Sequence, residues 1–312
     1  MIESLAEGWE LDVESADYAA VGAGSYHWIV RDRTGTRSFV TVDDLDVKPW
    51  LGDTRESVFD GLRRAFDTAA ALRDSGLDFV VAPVPTSRGE TVRRLGGRYA
   101  VAVFPFVDGR AGEFGHHDTA DERAAVVAML SELHDATPAV GPVAPSTGLD
   151  LPGRWHLESA LREVNETWSG GPFSEPARHA LADHASDVAE LLALADRLAA
   201  EVEEHGSPWV ITHGEPHAGN VMRTNRQHFL VDWDTVALAP PERDLWMVLG
   251  DTPSAGVDET ALNFFRLTWD MKDLAGYLDV LRSPHQRSGD TEIAFECITA
   301  CVASRDRWAA LL

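Results

Sequence analysis

The 312-residue sequence has only two cysteines and two lysines. It also has no run of about eighteen uncharged apolar residues, the length a membrane-spanning helix needs. Its acidic start, MIESLAEGWELD, is unlike the basic opening of a secretory leader, so a soluble protein in the cytoplasm is expected. Cys297 and Cys301 stand four apart in an apolar segment that reads as helix. Neither a disulfide framework nor a zinc site is supported, and both thiols are expected to be reduced core residues. Positive charge is scarce as well: 27 basic against 51 acidic side chains give a formal net charge of −24. That balance argues against nucleic acid and membrane surfaces as partners; it suits a cationic small molecule, or solubility alone. Lysine is confined to Lys48 and Lys272, a shortage that matters wherever phosphate must be neutralised.

What is present is enough apolar content for more than one core, and two lobes are expected at this length. The segments SYHWIV, RSFVTV, DFVVAPV and RYAVAVFPFV are rich in β-branched and aromatic residues and are separated by Gly, Asp and Pro, as strands are. One helix interrupts them, with Asp53 and Glu56 at capping-box spacing, Val58, Phe59, Leu62, Phe66 and Ala69 on one face, and Gly76 at its end. Beyond FPFVDGRAG the pattern turns to long amphipathic helices, the first capped by Thr119 and Glu122. A single stretch of 174–206 reads as one long helix, and 137–153 as a surface loop. The expected order is therefore a strand-rich lobe over 1–105 and a helical lobe over 106–312, interrupted between Trp209 and Asp234 by two short apolar runs flanking a polar turn.

That turn, ITHGEPHAGN at 211–220, carries too many polar and turn-forming groups for a core segment. His213, Glu215 and His217 would suit a metal hydrolase, but Gly214 and Pro216 break the helix that a zinc-binding histidine pair needs. Taken with FLVDWDTVALAPPERDLW, the loop offers three other roles. Glu215 could orient and deprotonate an alcohol, while Asn220 and Asp232 could hold Mg²⁺ against nucleotide phosphates.

These residues resemble the aminoglycoside phosphotransferase family, whose loop reads H-G-D-x-H-x-x-N and is followed by I-D-W/F-x-x. Here the match is His213, Gly214, Glu215, His217, Asn220, then Val231, Asp232, Trp233 and Asp234. The tail LAPPERDLW is most similar to the branch that includes spectinomycin phosphotransferases. The resemblance implies an α+β, protein-kinase-like bilobal fold, with a small antiparallel sheet and one main helix in the N-lobe and a larger helical C-lobe. It implies a small-molecule kinase acting on a hydroxyl substrate, with Mg²⁺ and ATP or GTP as donor; cationic aminoglycoside or aminocyclitol antibiotics are among the candidates. Glu215 takes the catalytic-acid position, Asn220 and Asp232 the metal positions, and His213 and His217 supporting ones. Asp234 is left between metal, substrate and turn cap, and Asp244 is expected to brace the loop. Gly22, Gly24 and Ser25 fall where the family covers the phosphates. Phe104, Phe106 and Val107 fall at the hinge that bonds the base.

Two departures stand out. Glu215 replaces the family's aspartate, which moves the carboxylate by roughly 1.3 to 1.5 Å, a shift that can cost on the order of a hundredfold in rate. Thr41 occupies the position of the phosphate-binding lysine, so its usual helix partner, matched here by Glu56, has no cation. Lys48 reaching inward, or one of Arg63, Arg64 and Arg98, would have to substitute. The same departures raise a second expectation, a kinase-like binding protein with impaired transfer.

Overall fold

The computed structural model describes residues 1–22, 25–115, 117, 119–250 and 256–312. The chain opens with α1 (Ile2–Trp9), β1 (Val13–Ala19), β2 (Ser25–Asp32), β3 (Arg37–Asp44), α2 (Arg55–Asp74), β4 (Arg93–Leu95), β5 (Tyr99–Pro105) and β6 (Arg110–Ala111). Then follow α3 (Ala120–Asp135), α4 (Thr137–Val140), α5 (Arg154–Arg162), α6 (Ser174–Asp183) and α7 (Ala185–His205). The remainder is β7 (Val210–Thr212), β8 (Val221–Arg223), β9 (His228–Leu230), β10 (Ala237–Ala239), α8 (Glu242–Leu249), α9 (Glu259–Arg282) and α10 (Gly289–Val302). These form two compact units, Met1–Gly148 with Pro208–Ala255, and Leu149–Ser207 with Gly256–Leu312. The boundary expected at 105/106 thus falls inside the first unit.

In the first unit an antiparallel sheet runs in the order β1-β2-β3-β5-β4. Alternation along β3 assigns its two faces. Val40 and Val42 pack with Leu5, Val30, Val101 and Val103, while Phe39 joins Ala100, Ala102 and Phe104 against Val58, Leu62 and Phe66 of α2. Thr41 and Asp43 therefore belong to the α2 side of the sheet, opposite His27 and Ser25 of β2 in register. A third core joins Ala65, Ala69 and Leu72 of α2 to Leu130 and Leu133 of α3 and to Ile211, Leu230 and Trp233 around the polar loop.

Several expected elements differ in detail. The segment DFVVAPV is buried at 79–82 but is not a strand. It instead clamps β9, with Val81 N donating to Leu230 O at 3.1 Å and Leu230 N to Phe79 O at 2.8 Å. Helix α2 is capped by Thr54 and Ser57 in a reciprocal box, one residue later than Asp53 and Glu56. Helix α3 has the expected Thr119 and Glu122 box. Strand β1 and helix α1 went unread, because VESADYA and IESLAEGW have neither the β-branched density nor the length that mark such elements.

The second unit is helical: α5, α7 and α10 each pack on α9, whose Leu267, Leu274, Leu278 and Leu281 are buried. The long helix read over 174–206 is broken at His184, whose φ of −123° leaves the helical region. Cys297 and Cys301 lie on α10 and are reduced but half-buried rather than core. Burial, with Asp270 and Asp273 nearby, pushes the Cys301 thiol up to about 12, which makes it a poor nucleophile. Among the described residues no helix is long and apolar enough to cross a membrane.

Candidate active site

Strand β7 ends at Thr212 and delivers the chain into the polar loop, where Asp244 of α8 organises the backbone. Its fully buried carboxylate accepts from His213 N at 3.0 Å, Gly214 N at 2.6 Å and His134 Nε2 at 3.0 Å. Burial pushes the Asp244 carboxyl up, but the bonds and charges of His134 and His213 and the Gly214 amide outweigh it and hold the group below its ordinary range. Gly214 adopts a φ of +96°, and Arg243 closes over it, donating to Thr212 Oγ1 at 2.7 Å and Thr235 O at 2.9 Å. Asp244, expected to brace the loop, thus accepts from two of its amides, with His134 as a third donor.

Both ring nitrogens of His213 are engaged: Nε2 bonds Val231 O at 2.9 Å and Nδ1 accepts from Glu215 N at 3.3 Å. Burial holds the imidazole below its usual range, and the edge of the ring meets Trp233 at 4.6 Å. This is scaffold geometry, which removes the ground for a histidine-ligated metal hydrolase. His217 lies edge-on to Phe114 at 4.6 Å. The loop then turns through Ala218–Asn220, where Asn220 Nδ2 donates to Glu215 O at 3.0 Å and Val231 N donates to Asn220 O at 3.0 Å. Because the two ends of an amide point apart, this orientation directs Asn220 Oδ1 away from the loop backbone. Glu215, Asn220 and the Asp232 segment are thereby tied together, by the Asn220 side-chain amide on one side and its main-chain carbonyl on the other.

Asp232 has a φ of +67°, a left-handed backbone that a non-glycine residue seldom adopts and that costs about 1–3 kcal/mol. Val231 on one side and the fully buried Trp233 on the other hold it there, with Trp233 Nε1 donating to Leu230 O at 3.0 Å. The carboxylate is reached by solvent yet is densely surrounded by protein. That low-dielectric setting and the charge of Asp234, with smaller effects of Glu215 and Asp43, push it up to about 8 against the pull of Lys48. Glu215 is therefore close enough for its charge to act on Asp232.

Lys48 is no surface lysine. It is 3% exposed, and its Nζ lies 2.6 Å from Asp234 Oδ2 and 3.0 Å from Asp43 Oδ1. Burial opposes its charge, but Asp234, Asp43 and Asp232 together hold the ammonium well above the ordinary lysine range. The candidate arginines are engaged elsewhere: Arg98 with Asp44, Arg63 with Asp60 and Asp67, Arg64 with Ala144 O. Glu56 does not stand in the acid position expected of it, since its side chain is 82% exposed and paired with Arg94. Thr41 is buried on β3 beside Ala102 and His27.

The nucleotide-side residues divide. Gly22 has a φ of +69°, and Gly24 lies outside the described residues. Ser25 gives its hydroxyl to Asp43 Oδ1 at 2.7 Å. The ring of Phe104 is committed to the core, edge-on to Phe66 at 5.4 Å, which leaves only its backbone for a base. Phe106 is covered by the Arg37 guanidinium at 4.1 Å, and Val107 packs against the α2 core.

Sequence reasoning missed Asp43, His134 and His117. Asp43 lies two residues beyond Thr41 on the same strand face, a period-two signal that was readable. His134 and the buried His117, whose Nε2 bonds Pro216 O at 3.1 Å, meet partners about a hundred positions away, and no local pattern marks them.

Asn220 and Asp232 supply oxygen donors, as a hard cation prefers, and Asp43 Oδ2 is buried without a hydrogen-bonding partner among the described residues. Four neighbouring carboxylates against one lysine leave the site negative before any phosphate arrives. Among the described residues no three His, Cys, Asp or Glu side chains could hold a metal ion by themselves. Mg²⁺ commonly takes one or two carboxylates and completes its shell from substrate phosphates and water. The residues present fit such an ion.

A strand-rich sheet with one main helix, followed by a braced loop carrying an acid, an amide and a second acid, defines a kinase-like phosphotransferase. Residues 9–277 match the model of the phosphotransferase enzyme family, APH. The chain belongs to that family and is a small-molecule kinase acting on hydroxyl groups. Protein StrN of Streptomyces griseus is 29% identical over 244 residues, covering 75% of each chain. The structure of spectinomycin phosphotransferase APH(9)-Ia in complex with ADP and spectinomycin has the same fold at 17% identity, with a TM-score of 0.73 over 98% of this chain and 97% of that one. A microcompartment-associated aminopropanol kinase is similar at 16% identity and a TM-score of 0.57, covering 99% of this chain and 96% of that one.

Proposed function

We propose that the chain transfers the γ-phosphoryl group of ATP or GTP to a hydroxyl of a cationic small molecule, an aminocyclitol, aminoglycoside or amino alcohol. The observation that carries this reading is the loop in which Asn220 is tied to Glu215 through its side-chain amide and to the segment presenting Asp232 through its main-chain carbonyl. Glu215 orients the acceptor hydroxyl and takes its proton. Asn220 Oδ1 and the Asp232 carboxylate would hold Mg²⁺, which supplies charge neutralisation on the phosphates when bound. Lys48 supplies the cation that Thr41 does not, from the loop after β3 rather than from the strand. Gly22 and Ser25 lie on the phosphate side, and the backbone of 104–107 takes the base. Catalysis in such a site is mainly positioning and electrostatics, so the bracing by Asp244, Arg243 and His213 contributes as directly as the reacting groups.

A net charge of −24 favours an aminated acceptor over nucleic acid or an anionic membrane. The likeness to a spectinomycin kinase supports testing aminocyclitols first, as candidates for antibiotic modification. Dependence on a nucleotide donor supports a cytoplasmic site of action. The reading as an impaired binding protein rested on Thr41 and Glu215. Buried Lys48 supports a replacement cation and weakens the first of those grounds. Initial rates with Mg²⁺ and ATP or GTP across aminocyclitols, aminoglycosides and amino alcohols test the proposal. Nucleotide-dependent phosphorylation of at least one is expected; nucleotide-induced thermal stabilisation with no turnover on any would favour the binder instead.

A further inference from the structure

The pair formed by Asp43 and Lys48 reverses the charges the family resemblance led us to expect. The acid sits on β3, two residues past the lysine position and on the same face, while the lysine comes from the loop that follows. Lys48 does more than pair with its neighbour. Its ammonium bridges Asp43 of the sheet and Asp234 of the segment after β9, and its charge also reaches Asp232. Asp43 uses one oxygen for both Lys48 and Ser25, so the same carboxylate ties the lysine to the first residue of β2, next to the turn expected over the phosphates. A buried cation among several carboxylates is the electrostatic equivalent of a divalent ion held by its own tether. It satisfies the acids when nothing else is bound, and it repels a second cation.

We propose that Lys48 is a tethered counter-ion that makes divalent-cation and nucleotide binding depend on each other. In the nucleotide-free protein it holds Asp43 and Asp234 and discourages a free cation from settling near Asp232. A nucleotide offers phosphate oxygens to the ammonium, and its negative charge offsets the repulsion. The inference rests on the kinase reading above and adds a regulation of the same site: the site fills with the nucleotide and cation together rather than piecemeal. By linkage, whatever factor ADP adds to cation affinity, the cation adds to ADP affinity.

Calorimetric titration of the full chain tests this, with Mn²⁺ alone, ADP alone, and each in the presence of the other. Wild type is expected to bind Mn²⁺ alone weakly and to gain about tenfold or more with ADP present. Removing one unit charge a few ångströms from the site should tighten Mn²⁺ binding to Lys48→Met by about 10- to 100-fold. The ADP-dependent gain should shrink by about fivefold or more, to what direct contact between cation and phosphate supplies alone. Lys48→Arg, which keeps the charge, should retain the coupling. Should Lys48→Met fail to fold, Lys48→Met combined with Asp43→Asn removes one charge of each sign and should show the same reduction in coupling. An unchanged ADP–Mn²⁺ coupling in a folded variant lacking the ammonium overturns the proposal, as does its absence in wild type. If wild type binds neither ADP nor ATP with Mn²⁺ present, the kinase reading itself fails; if it binds them and the coupling is unchanged without Lys48, only this inference does.

Discussion

Replacing Gly214 by alanine should disable the loop without touching any reacting group. Gly214 has a φ of +96°, and a Cβ built there would lie 2.5 Å from Arg243 Nη2 and 2.6 Å from Nη1. The guanidinium cannot simply swing aside, because it is held by Thr212 Oγ1 at 2.7 Å and Thr235 O at 2.9 Å. The left-handed backbone costs an alanine about 1–2 kcal/mol. Losing one charge-assisted hydrogen bond of Arg243 adds about 1.5–3 kcal/mol. The sum, roughly 2.5–5 kcal/mol, is a large share of the ~5–15 kcal/mol that holds a typical domain together. Glu215 is the next residue, and a displacement of about 1 Å there should lower the rate about a hundredfold. Urea unfolding and initial rates, measured on the same preparation, read the two effects. A Gly214→Ala protein with an unchanged midpoint and a rate within twofold of wild type would refute the argument that Arg243 and Asp244 fix this turn.

Asp244→Ala should destabilise the first unit by about 3–5 kcal/mol, since it strips the partner from His134 and from two buried amides; chemical denaturation checks this, and a loss below about 1 kcal/mol would contradict the brace. Acid should loosen the same loop. Asp244 is held below its unfolded value, so its stabilisation is present above that value and lost as the pH falls through the folded one; His213, held down by burial, gives a loss of the same sign beginning below about pH 6.5. Fluorescence of the buried Trp233 environment should therefore change on acidification before global unfolding, and a flat signal down to pH 4 would count against it. Thr54→Ala should cost about 0.5–2 kcal/mol through the α2 cap while Asp53→Ala stays near neutral, a comparison of melting temperatures that the reverse order would contradict.

The fold was readable because its signals are local. The β-branched runs of β2, β3 and β5, the box at Thr119 and Glu122, and the crowding of polar and turn residues in ITHGEPHAGN each follow from nearby sequence. Glu215, Asn220 and Asp232 could be nominated as site residues because nearby stretches of sequence carry them, whereas a meeting of two distant segments leaves no such mark. Nothing near Lys48 says that an aspartate 186 positions later will receive it, whereas Asp43, two residues beyond Thr41, was open to a period-two reading. Glu56 illustrates the opposite error. A helix acid at the expected distance along the chain turned outward to Arg94, because it stands two residues before Val58, on the side of α2 away from the buried Val58, Leu62 and Phe66.

The central claim is that Glu215, Asn220 and Asp232 act on one phosphoryl group in complementary ways. Rapid-quench measurement of the transfer step, made beside nucleotide affinity in Glu215→Ala, Asn220→Ala and Asp232→Ala, tests it most directly. Glu215→Ala should keep nucleotide affinity and lose about 10²–10⁴-fold in transfer, as expected for removal of a general base, while Asn220→Ala and Asp232→Ala lose metal-dependent nucleotide binding as well. Transfer at the wild-type rate in either Glu215→Ala or Asp232→Ala would contradict the account.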